Sequence, residues 1–133
     1  MASELPGLLR SVDCIRLRVP DLDSGLSFYR NKLGHELLWR TAAAAGLRMP
    51  DADTEIVIYT EGPSEAIDVK VRSAGEAAEA FVHAGGAVAI APFDIAIGRC
   101  VVVRDPWSNA LVLLDDSKGH LITDADGHVT GTG

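Results

Sequence analysis

The side chains whose type and placement could do chemistry are Arg16, Glu55, Tyr59, Asp68 and Cys14. Arg16 and Asp68 each lie in a stretch where apolar and polar residues alternate, around Ile15, Leu17 and Val19 in one case and Ile67, Val69 and Val71 in the other. That period of two belongs to a β-strand, so the charged residues share the face opposite the apolar ones. A guanidinium at Arg16 stays charged and must find an anion: a carboxylate, phosphate or enolate brought by a ligand, or Asp68 itself. Asp68 or Glu55 could move a proton, and Tyr59 could donate to an oxyanion. The competing reading is an Arg16–Asp68 ion pair with Tyr59 as half-buried packing, and such pairs are weak evidence of function. Cys14 reads as a small buried hydrophobe.

The elements that must position these residues recur. The first alternating stretch leads into a helical pattern through Leu22, Leu26, Tyr29 and Leu33, ending at Gly34. The second leads into Ala77, Ala80, Phe81 and Ala84, ending at Gly85-Gly86. Val19 and Val71, Tyr29 and Phe81, and Gly34 and Gly86 are separated by the same 52 positions without a gap. Ser73 with Glu76 forms a capping box for the second helix, and Asp21 or Asp23 can cap the first.

Strand candidates follow each helix: 35–41, 46–49 and 55–60 in the first copy, and 87–91, 99–104 and 110–114 in the second. Each copy reads β-α-β-β-β, with module one at about 12–61, module two at about 66–115 and a polar tail over 116–133. The tail is expected to form a loose hairpin or to fray. Its Asp124-Ala125-Asp126-Gly127 has the look of a calcium loop but lacks the closing glutamate, so it reads as a turn.

On these residues the chain resembles the vicinal-oxygen-chelate superfamily of glyoxalases, bleomycin-resistance proteins and extradiol dioxygenases. The carriers of the resemblance are Val19-Pro20-Asp21-Leu22-Asp23-Ser24, Phe28-Tyr29, Leu33-Gly34 and Asp105-Pro106-Trp107-Ser108-Asn109. The family usually has Gly where Ser108 stands. The resemblance implies an α+β fold in which two βαβββ modules form a curled mixed sheet around a cleft, commonly in a homodimer. It also implies metal-ligand positions at Cys14, Ala66 and Val112, with a further one near Glu55. Ala66 and Val112 have no donor atom, and Cys14 with Glu55 makes too few ligands for a stable site. None of His35, His83, His120 and His128 stands at a ligand position. No metal and no other cofactor is expected.

Within that fold, strand alternation turns Cys14, Arg16, Arg18, Ala66, Asp68 and Lys70 toward the cleft, with Glu55, Val57 and Tyr59 from the fourth strand and Ala110, Val112 and Leu114 from the last. The expected ligand contacts are Cys14, Arg16, Val57, Tyr59, Asp68, Trp107 and Val112, with Arg16, Glu55, Tyr59 and Asp68 as the catalytic candidates. Trp39 and Trp107 stack on a planar ligand or pack at the rim.

The formal charge of −7 argues against nucleic acid or an anionic membrane as a partner, because each needs a basic face. The N-terminal stretch lacks the pattern of a secretory signal and no apolar run is long enough to span a bilayer, so a cytoplasmic protein with reduced Cys14 and Cys100 is expected. Two functions fit. One is a metal-independent protein that binds a drug or metabolite, as bleomycin-resistance proteins bind a bulky cationic drug. The other is a metal-independent lyase, isomerase or cyclase using the acid–base residues of the cleft. The balance leans to binding, and a metal-dependent glyoxalase or dioxygenase fits least.

Overall fold

The computed structural model describes residues 7–62 and 67–133. Ala66, one of the expected ligand positions, therefore lies outside the described residues.

Strand β1 (Ser11–Arg18) enters helix α1 (Leu22–Leu26), whose N-cap Asp21 accepts the Ser24 backbone N–H at 2.7 Å. The helix then widens into a π-helical segment, Ser27–Lys32, in which the Leu33 N–H bonds back five residues to Phe28 O. The sequence spacing predicts one continuous α-helix to Leu33; the widened turn instead leaves Phe28 and Leu33 exposed. Three strands follow: β2 (Leu37–Arg40), β3 (Ala44–Arg48) and β4 (Glu55–Tyr59). The second half repeats the plan with β5 (Ile67–Lys70), α2 (Ala74–His83), β6 (Ala87–Asp94), β7 (Arg99–Arg104) and β8 (Ala110–Leu114). The Ser73 hydroxyl caps α2 by accepting the Glu76 N–H, as the capping box predicts.

These strands form an eight-stranded curled sheet in the order β2-β3-β4-β1-β5-β8-β7-β6. β1 runs parallel to β4 and β5 parallel to β8, while β1 and β5 pair antiparallel at the centre. Each helix covers the outer face of its own half. Leu22 and Leu26 pack on Ala45, Leu47, Ile56 and Ile58; Ala74, Ala77 and Ala78 pack on Val69, Val101, Val103 and Leu113. A third cluster, Cys100, Val102, Val112 and Leu114 with Phe93, Ile95 and Ile97, lies on the inner face of the second half. The alternation within β7, with Val101 and Val103 facing α2 and Cys100 and Val102 facing inward, is the pleat seen directly.

Of its two expected forms, the tail takes the hairpin. It forms a second, two-stranded sheet of β9 (Leu121–Thr123) and β10 (Val129–Thr132). No helix among the described residues is long and apolar enough to cross a membrane.

Candidate functional site

The inner faces of β1, β4 and β5 wall a cleft of about 630 Å³. Parallel pairing sets Cys14 opposite Glu55, Arg16 opposite Val57 and Arg18 opposite Tyr59. Antiparallel pairing sets Cys14 opposite Asp68, which makes Arg16 and Asp68 diagonal neighbours on one face. Arg16 Nε lies 3.3 Å from Asp68 Oδ1, and both side chains are 13% exposed. The Arg16 guanidinium also stands over the Tyr59 ring, 5.1 Å from its centroid, and Arg18 approaches the same ring at 5.6 Å. Lower on β1 and β5, Lys70 Nζ is 3.8 Å from Asp13 Oδ1.

Glu55 is held differently. The Trp39 indole N–H donates to its Oε1 at 2.7 Å. Trp39 reaches Glu55 across Gly46 of the intervening strand β3, and a Cβ on Gly46 would overlap the indole. Glycine is required there by the close approach of the side chain. Burial pushes the Glu55 carboxyl above its ordinary range, and the Trp39 hydrogen bond opposes that shift without cancelling it. Burial, then the neighbouring Asp68 and Asp13, push the Cys14 thiol well up, so it is a poor thiolate donor.

The register also tests whether the site fits a metal. Asp68 on β5 pairs with Val112 on β8, and Arg16, its equivalent one repeat earlier, pairs with Val57 on β4. The β4 counterpart of Val112 is therefore Val57 rather than Glu55, which corrects the expected position by two residues. The described residues at these positions are a buried thiol and two valines, a set that does not fit a divalent ion.

Cys14, Arg16, Val57, Tyr59 and Asp68 line the cleft together with Glu55 and Trp39. Two predicted contacts do not. Val112 is buried in the inner cluster beside Cys100 and Val102, and Leu114 lines the cleft from β8 in its place. Trp107 stands in the β7–β8 turn and is 80% exposed; Asp105 holds that turn by accepting the Trp107 and Asn109 backbone N–H groups. Residues missed from the sequence also line the cleft: Ile95, Ala96 and Ile97 from the β6–β7 loop, and Asp116, His120, Leu121, Thr123 and Val129 from the tail. An apolar residue before a turn was a signal for Ile95 and Ile97. Nothing local to the tail pointed inward.

A two-module sheet of this order, curled around a cleft that opens on its inner face, defines a glyoxalase-like scaffold. The model of the glyoxalase/bleomycin resistance protein/dioxygenase superfamily matches residues 11–129, and the chain belongs to that family. No curated protein matches the chain. Among solved structures it is similar to methylmalonyl-CoA epimerase from Mycobacterium tuberculosis, with a TM-score of 0.71 at 14% identity over 85% of this chain and 92% of that one. It is also similar to a single-residue variant of Streptomyces coelicolor methylmalonyl-CoA epimerase in complex with 2-nitronate-propionyl-CoA, with a TM-score of 0.67 at 17% identity over 82% and 99% of the two chains. Homoprotocatechuate 2,3-dioxygenase from Brevibacterium fuscum gives 0.59 at 22% identity, over 84% of this chain and 37% of the larger enzyme. At these identities the likeness is one of fold.

Proposed function

We propose that the protein is a metal-independent small-molecule-binding member of its family, cytoplasmic and homodimeric, holding a drug or metabolite in the β1/β4/β5 cleft. The observation that carries this reading is the site's own composition: Cys14, Val57 and Val112 stand where donors would be needed, and the cations of the cleft already face carboxylates. Arg16 faces Asp68 and Lys70 faces Asp13, whereas Glu55, Glu61 and Asp116 add acidity to the same walls. That balance favours a ligand that is cationic or rich in hydrogen-bond donors, with Val57, Leu114, Ile95 and Ile97 supplying apolar contact. The experiment is a thermal-shift screen of amines, guanidines and neutral aromatics run in parallel with and without a chelator. Binders are expected to stabilise the parent protein but not a Val57→Arg variant, and hits that vanish with chelator would overturn the reading.

A second reading, a metal-independent lyase, isomerase or cyclase, is favoured by Glu55. Its carboxyl group has one oxygen fixed by Trp39 and a raised pKa, the disposition of a general acid–base residue. Conversion of a screened binder to product, lost in Glu55→Gln, would select this reading over sequestration.

A further inference from the structure

The sheet is open, with β2 at one edge and β6 at the other, and the tail runs from one side to the other. Its start is tied to the second half: buried Asp115 accepts the backbone N–H groups of Ala74 at 2.7 Å and Arg99 at 2.9 Å, and the Lys118 N–H donates to Ile97 O at 2.8 Å. Its far end reaches the first half, where the Arg40 N–H donates to Gly127 O at 2.8 Å and Arg40 forms an isolated parallel bridge with His128. Between these anchors the hairpin closes on itself through reciprocal His120–Gly133 backbone hydrogen bonds. It lays His120, Leu121 and Val129 against the cleft that Cys14 and Glu55 floor.

The two anchors differ in kind. The Asp115 anchor is built into the fold, whereas the Arg40–His128 contact is a bridge and not a ladder. No residue beyond Leu114 belongs to any of the three core clusters of described residues. A segment held this way can leave the sheet without unfolding it. At the latch Gly127 has φ 83°, and a Cβ there would stand 3.2 Å from the Leu37 side chain.

We propose that the β9–β10 hairpin is a strap over the cleft: it opens at the Arg40–His128 latch to admit a ligand and, closed, adds His120, Leu121 and Val129 to the binding surface. The role of the strap rests on the reading of this cleft as the ligand site. Its opening does not, because Cys14 reports access to the cleft with no ligand present.

The test is the rate at which 4,4′-dithiodipyridine modifies Cys14, followed by peptide mass spectrometry, with amide hydrogen exchange of Val101 and Val103, on the helix-covered face of β7, as the internal reference for global opening. Full-length Gly127→Val, which disrupts the latch, and full-length Leu121→Asp, which sets a carboxylate against the acidic cleft wall, are compared with the parent. Cys14 is expected to react at least about tenfold faster in both, with Val101 and Val103 amide exchange and the melting temperature little changed. Unchanged Cys14 rates in Gly127→Val with normal folding would overturn the strap. So would parallel acceleration of Cys14 modification and of Val101 and Val103 amide exchange, which would make the hairpin part of the cooperative fold. If the cleft binds nothing, the function reading fails while these rates still decide whether the hairpin opens.

Discussion

Arg16 and Asp68 face each other diagonally across the central β1–β5 pair, Nε to Oδ1 at 3.3 Å. They are equivalent residues of the two repeats, so the junction between halves is closed by opposite charges where a symmetric repeat would have set like beside like. The pair lies mostly out of solvent, so losing one partner removes a counter-charge that water replaces poorly there. Arg16→Met is therefore expected to cost roughly 3–5 kcal/mol in urea unfolding, and Arg16→Met with Asp68→Leu to recover most of it. A single variant of parental stability that has lost ligand binding would instead assign Arg16 to the ligand.

Glu55 sets a pH dependence of known sign. Its folded pKa is raised above the unfolded value, so its contribution favours the folded state below the ordinary glutamate range and is lost as pH rises through the folded pKa. Glu55→Gln, which keeps an acceptor for Trp39, should raise the melting temperature at pH 8 and leave it nearly unchanged at pH 4. Trp39→Phe removes the bond that opposes the shift, so the Glu55 carboxyl resonance should titrate at higher pH in that variant. A downward move would show that the indole does not stabilise the carboxylate.

Asp115 acts in the opposite sense. Burial alone would raise its pKa, but hydrogen bonds from the Ala74 N–H, the Ser117 hydroxyl and the Arg99 and Ser117 N–H groups outweigh it and hold the carboxyl below its ordinary range. Its stabilisation is present above the unfolded pKa and lost as pH falls through the folded one. Asp115→Asn should cost roughly 1.5–3 kcal/mol at neutral pH and flatten the loss of stability below pH 4. A variant that retains the parental acid-unfolding profile would rule this out.

Ser108 has φ 70° in the turn between β7 and β8, the left-handed region that favours glycine. Asp105 holds the turn through the Asn109 side-chain and backbone N–H groups, so the serine is kept in that conformation. Ser108→Gly is expected to stabilise the chain by about 0.5–1 kcal/mol, read as a higher urea midpoint at constant slope. Destabilisation would mean that the serine side chain contributes more than its backbone strain costs.

Purified protein prepared without chelator should contain far less than one equivalent of zinc, nickel, manganese or iron per chain by elemental analysis. The motive is the register that puts Val57 and Val112 at equivalent positions. A full equivalent would mean that donors outside these strands complete a site.

The sequence by itself determined the two βαβββ halves, the faces of β1, β4 and β5, and the Arg16–Asp68 juxtaposition. These follow from periods of two and 3.6 and from an ungapped repeat, which are local properties of the chain. The tertiary structure alone decided the rest. Whether Glu55 or Val57 matches Val112 depends on how β1 and β4 align, and parallel strands joined through intervening elements carry no turn that fixes their register. Trp39 meets Glu55 only because β2 and β3 pair with an irregularity between Leu37 and Trp39 that brings the indole across Gly46. The tail showed no apolar face of its own, so its reach from Asp115 to Arg40 could not be read locally; it became visible once the curl of the sheet had brought the loop after β6 and the edge strand β2 within span of one short hairpin.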